Sequence, residues 1–168
     1  MEKMTINAEI NLTAEPGTQA IKITREFDAP PELVFQAFTD PELYVEWLGP
    51  RRLTMTLEVF EPRSGGAYRY IHKDDKGNEY AFQGVYHEVT VPERIIQTFE
   101  FEGLPEKGHV NLEIATFEEV PGGKTRLIME SVFRTVAARD MALKSGMQNG
   151  IKDSFERLTE LLEKLTAK

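Results

Sequence analysis

The stretch "SGMQNGIKDSFERLTELLEKL", Ser145 to Leu165, carries one long helical pattern with a single apolar face. With Met147 as zero and ~100° per residue, Gly150, Ile151, Ser154, Phe155, Leu158, Leu161, Leu162 and Leu165 fall within about 80° of it. Lys152, Asp153, Glu156, Arg157, Glu160, Glu163 and Lys164 fill the opposite arc. Such a helix must lie against an apolar surface supplied by the rest of the chain. Two glycines, Gly146 and Gly150, sit in its first turns, although each costs roughly 1 kcal/mol in a helix interior.

The remaining sequence offers a sheet as that surface. "TINAEINLT" alternates, with Ile6, Ala8, Ile10 and Leu12 on one face, and predicts an extra strand within residues 1–19. Pro16-Gly17 suits a turn, and "AIKITREF" follows as a strand with Ile21, Ile23 and Phe27 on one side. The period then changes. Asp28 is placed as an N-cap with Pro30 and Pro31 in the first helical turn, and Leu33, Val34, Ala37 and Phe38 form a stripe. Asp40-Pro41 ends this helix, and a second runs from Pro41 to Trp47 before Gly49-Pro50 stops it. From Leu53 to Phe133 six alternating segments are separated by turn sequences, the pattern of an antiparallel meander. "RTVAARDMALK" reads as a helical turn or a loop leading into the long helix. The order defines an α+β chain, a curved antiparallel sheet wrapped around a long C-terminal helix, with residues 1–168 as one domain.

Charge and composition exclude several functions. The formal net charge is −8, so a phosphate backbone is repelled and nucleic acid is not expected as a partner. No apolar run approaches the ~20 residues of a membrane span, and "MEKMTINAEINLTAEPG" has no apolar leader core. Cysteine is absent, which removes disulfides and thiolate chemistry and fits a cytoplasmic location. His72, His87 and His109 show no metal-ligand spacing, and "DDKGN" lacks the alternating acids of a calcium loop and reads as a hairpin turn. No cofactor-binding motif is present, and no cofactor is expected.

Three separated stretches resemble one known family: "FDAPPELVFQAFTDPELYVEWLGP", "RSGGAYRYIHKDDKGNEYAFQGVYHEVTVPERIIQTF" and "SGMQNGIKDSFERLTELL". In order and spacing they are similar to the activator-of-heat-shock-protein-90-ATPase homologue family, within the START and polyketide-cyclase (SRPBCC) superfamily of helix-grip folds. The resemblance covers roughly Ala20 to Leu165. Leu48 departs from it, standing where many relatives carry the second tryptophan of a Trp-Trp-Gly-Pro motif. The resemblance implies a helix-grip fold with a cavity between the concave sheet face and the long helix.

Alternation supplies candidate walls for that cavity. Tyr68, Tyr70 and His72 are placed inward, because the opposite face carries Arg69. Phe99 and Phe101 oppose Thr98 and Glu100, and Met129, Ser131 and Phe133 oppose Ile128 and Glu130. The segment with Phe82, Gly84 and Tyr86 is equally apolar on both faces, and a bulge near Gly84 would turn both ends inward. Met147, Gly150 and Ile151 face the cavity from the helix. Trp47 either caps its mouth or pins the second short helix to the core. Each aromatic taken singly also fits plain core packing. Buried tyrosine hydroxyls need partners, which a polar-lined pocket supplies. The expectation is a binding or carrier protein for a small apolar or aromatic ligand, as monomer or homodimer. The alternatives are a cyclase- or isomerase-like enzyme using His72 with Tyr68 or Tyr70, and a stress-related co-chaperone. The last is weakly implied, because co-chaperones of that family carry a further N-terminal domain for which this chain leaves no room.

Overall fold

A computed structural model describes residues 2–7 and 10–167. The strands are β1 (Glu2–Asn7), β2 (Ile10–Ala14), β3 (Ala20–Phe27), β4 (Thr54–Phe60), β5 (Ala67–Lys73), β6 (Glu79–Thr90), β7 (Arg94–Phe101), β8 (Asn111–Val120) and β9 (Lys124–Val132). Helices α1 (Pro31–Thr39) and α2 (Pro41–Trp47) follow β3, and α3 (Val136–Lys144) and α4 (Met147–Thr166) follow β9. All neighbouring strands are antiparallel, in the order β1-β2-β3-β9-β8-β7-β6-β5-β4. This is the expected α+β helix-grip architecture, and among the described residues no helix is long and apolar enough to cross a membrane.

Three local expectations change. The N-terminal extension is two paired strands rather than one, because the chain reverses between Asn7 and Ile10. Ile10 and Leu12, expected on one face, are both buried, as is Ala14; the shared face expected for Ile6 and Ala8 lies outside the described side chains. Helix α1 takes Pro30, not Asp28, as its N-cap, with Pro31 as its first residue. The α3 segment is a full helix of 9 residues, capped where the Thr135 hydroxyl accepts the Ala138 N–H at 3.0 Å.

Cross-strand pairing sets out the concave face in rows. One row runs Val89, Ile95, Ala115, Met129, Ile23, Leu12. The next runs Tyr86, Gln97, Glu113, Ser131, Ile21. Beyond it lie Phe60, Tyr68 and Gly84, then Leu57, Tyr70, Phe82 and Phe101, then Met55, His72 and Tyr80. A register shift between Tyr86 and Glu88 inserts one residue in β6, so Tyr86 and Val89 both reach this face. The bulge expected at Gly84 therefore falls just after it. Gly84 has a different task. A Cβ there would lie 2.7 Å from the Tyr68 hydroxyl and 2.0 Å from the Thr98 carbonyl oxygen. Its bare backbone lets the Tyr68 side chain cross β6 and donate its hydroxyl to Thr98 at 2.6 Å.

Helix α4 buries Ser154, Phe155, Leu158, Leu161 and Leu162, the predicted stripe, and packs chiefly on α2. The segment after α2 is fastened to it. Ser154 Oγ accepts the Gly49 N–H at 2.8 Å, and Arg157 donates to the carbonyls of Gly49 and Glu46, each at 2.8 Å. At the other end, buried Arg139 of α3 donates to the carbonyls of Glu15 and Ala20 at 2.7 and 3.3 Å, fixing α3 to the turn before β3.

The two glycines separate. Gly146 is outside the helix; it links α3 to α4 with φ +84°, the left-handed region that favours glycine. Gly150 is inside, and a Cβ there would meet only Pro50, at 3.9 Å. Gly150→Ala is therefore expected to stabilise the protein by about 0.5–1 kcal/mol. Gly84→Ala is expected to destabilise it by about 2–3 kcal/mol through overpacking against backbone. Urea denaturation of both variants checks the contrast; equal effects would contradict these placements.

Candidate functional site: the concave aromatic face

Of the residues expected to line a cavity, Tyr68, Tyr70, His72, Phe82, Tyr86, Phe99, Phe101, Met129 and Ser131 share the concave face. Their rings form one continuous network. Tyr68 meets Tyr86 at 5.3 Å between centroids, Tyr70 meets Phe82 at 5.1 Å, and Phe82 meets Phe99 at 5.4 Å and Phe101 at 5.1 Å. Helix α2 adds Tyr44, stacked on Phe60 at 5.2 Å. Phe133 is buried in the core, and Met147 and Ile151 pack half-buried against it.

Two expected residues stand apart. Trp47 is sealed in the α1–α2 contact: its Nε1 donates to the Ala37 carbonyl at 2.8 Å, and its ring packs on Phe38 at 4.7 Å. It is the pin of the two readings, not the cap of a mouth. Gly150 lies beside Pro50 in a shallow outer groove with Arg51, Asn149 and Asp153, away from the rings.

His72 is also closed off. Gly49 presses on it so closely that a Cβ would fall 2.5 Å from the imidazole Cε1. Its Nε2 is buried without a hydrogen-bond partner. Burial pushes its pKa down from 6.5 to about 4, reinforced by nearby Arg157 and opposed by a hydrogen bond to the Leu48 backbone. The expected neighbours do meet, Tyr70 lying 5.0 Å from His72 between ring centroids, but a neutral imidazole closed over by Gly49 is poorly placed to exchange a proton with a ligand.

The residue that alternation left unassigned is Glu113. In β8 the face with Leu112 and Ile114 is the more apolar, yet it points outward and Leu112 is 40 % exposed. Only the pairing of Glu113 with Gln97 and Ser131 places the carboxylate on the concave side. The Ser131 hydroxyl donates to Glu113 Oε2. Glu113 Oε1 has no hydrogen-bond partner among the described residues, yet it is not fully buried. The hydroxyls of Tyr44, Tyr70 and Tyr86 are in the same condition: each belongs to a buried residue, donates to no protein acceptor and keeps an accessible oxygen. Burial raises the pKa of Glu113 from 4.5 to about 7, partly offset by the Ser131 hydrogen bond. Burial likewise holds the tyrosines neutral, raising each above its ordinary value. A carboxyl and three phenols, each with an oxygen that lacks a hydrogen-bond partner among the described residues, thus lie near one another among the aromatic rings.

The family model described as activator of Hsp90 ATPase homolog 1-like protein matches residues 28–163, and this chain belongs to that family. A crystal structure of a Rhodobacter sphaeroides protein is similar at 29% identity and TM-score 0.83, covering 93% of this chain and 99% of that one. One from Chromobacterium violaceum has 27% identity and TM-score 0.76, covering 86% and 97%. A Silicibacter pomeroyi protein whose structure carries the same family description matches at 21% identity and TM-score 0.72, covering 87% and 99%, which speaks for the fold alone. A search of curated proteins gave no match.

The two shifted groups make opposite contributions to stability. Glu113 stays protonated in the fold while the unfolded chain ionises, so stability is lost as pH rises from 4.5 to about 7, by at most about 3 kcal/mol. His72 stays neutral in the fold while the unfolded chain protonates, so stability is lost as pH falls from 6.5 to about 4, by a similar amount. Where the two windows overlap, between pH 4.5 and 6.5, the slopes oppose and largely cancel. Relative to wild type, Glu113→Gln is expected to gain stability progressively from acid to neutral pH, and His72→Phe to lose it. Urea titrations between about pH 4 and 8 measure both; profiles parallel to wild type would refute the assignment.

Proposed function

We propose that this protein binds a small, largely apolar molecule against the concave aromatic face, and that it acts as a carrier or binding module. The carrying observation is the set of polar atoms without protein partners on that face. A plain core satisfies or excludes such groups, because an unpaired buried hydroxyl or carboxyl costs about 1–3 kcal/mol. Glu113 Oε1 and the hydroxyls of Tyr44, Tyr70 and Tyr86 instead remain open together. Gln97, Phe99, Met129 and Ser131 also point inward and remain half-exposed. An apolar wall with a few convergent polar groups is the composition of a small-molecule site. The co-chaperone alternative rests on the family's description, whereas ligand binding has geometry behind it.

Thermal-shift measurements with neutral aromatic and aliphatic alcohols test the reading. A ligand present at 100 times its dissociation constant stabilises the folded state by about 2.7 kcal/mol, raising Tm accordingly. Met129→Trp, which fills the space beside Ala115 and Glu113, is expected to abolish the shift while the far-UV circular dichroism stays native. Absence of any shift across the panel at millimolar concentration would overturn the proposal.

A further inference from the structure

We propose that the polar end of this site recognises an organic ammonium group, so that the ligand is an amine carried on an apolar body. The inference rests on the binding role argued above and specifies the chemistry of the same site. Three observations carry it. Glu113 is held by Ser131 through Oε2 alone, leaving Oε1 open, and among the described residues no lysine, arginine or histidine forms an ion pair with it. The buried guanidinium on this face, Arg25, pairs with Leu127, four residues along β9 from Ser131, roughly 13 Å at strand rise. The open carboxylate oxygen therefore lacks a counter-charge where a ligand would reach it.

The surroundings suit a cation rather than an anion. An ammonium brings three N–H donors and no acceptor. Glu113 Oε1 accepts from no donor among the described residues, and the Tyr70 and Tyr86 hydroxyls, free to rotate, can turn their lone pairs toward an ammonium; Gln97 stands between Tyr86 and Glu113 in the same row. The protein's net charge of −8 draws in cations and repels anions before contact. Above about pH 7, where Glu113 ionises, a carboxylate ligand would meet it as a like charge.

The test uses matched probes on three apolar bodies, octyl, 3-phenylpropyl and naphthylmethyl, each as amine, alcohol and carboxylate, titrated calorimetrically at pH 8. The expected result is an amine about tenfold tighter than its alcohol, with the carboxylate weakest. Glu113→Gln, checked for a native melt, is expected to bring amine and alcohol within about threefold of each other. Alcohols binding as tightly as amines, or a preference that survives in Glu113→Gln, would overturn the ammonium assignment and leave the binding role intact. No binding by any of the nine probes would overturn both.

Discussion

The attachment of the 46–51 segment to α4 governs how the rest of the molecule is arranged. Ser154 and Arg157 lie one turn apart, and between them they hold the Gly49 N–H and the carbonyls of Glu46 and Gly49. Arg51 extends the contact to Asp153 and Glu160 of the same helix. A guanidinium offers donors in a fixed fork, so a loop that would otherwise leave carbonyls unpaired becomes a rigid bracket. That bracket sets α2 against α4, and Gly49 then closes over His72. One end of the concave face is sealed in this way, while the Gln97–Glu113–Ser131 region stays half-open. Position, and not residue type, decides which titratable group is sealed and which lies on the more open part of the face.

The bracket also gives the Leu48 departure a physical frame. Leu48 packs half-buried against the core, and its backbone, not its side chain, meets His72. The hydrogen bonds that fix this segment are made by the main chain of 46, 49 and 51. A leucine in place of a second tryptophan therefore leaves the bracket's wiring intact and changes only the bulk packed beside it.

Much of the fold was legible because many strands carry a charge that marks their outer face. Arg69 pairs outside with Glu58 and Glu102, which settles the tyrosines of β5 as inward; Glu100 and Glu130 do the same for β7 and β9. Where the charge itself points inward, alternation is silent or misleading. Glu113 was invisible for that reason, and its pairing with Ser131 is a long-range fact of register. The face of β6 could not be decided because one extra residue reverses its alternation midway. Gly146 looked like a flaw in a helix because helical periodicity continues through it, although its φ breaks the chain into α3 and α4. Gly150 was drawn toward the site by its place on the apolar arc of the helix and Trp47 by its position at the end of α2, but an indole N–H bonded to Ala37 and a glycine facing Pro50 belong to packing and surface.

Glu113 is where stability and function part company. A leucine of similar volume on the concave face would remove a desolvation cost that, from the raised pKa, approaches about 3 kcal/mol above neutral pH. That is a large share of the 5–15 kcal/mol by which a domain is typically stable. Ser131 recovers part of it through one oxygen only. A structural glutamate at this depth would be expected to have both oxygens bonded or a cation beside it, and the interior supplies neither. The phenols of Tyr44, Tyr70 and Tyr86 repeat the pattern, each apolar ring well packed and each oxygen left over. Rings packed to near-core density around polar atoms left open form a fold complete in its apolar contacts and incomplete in its hydrogen bonds.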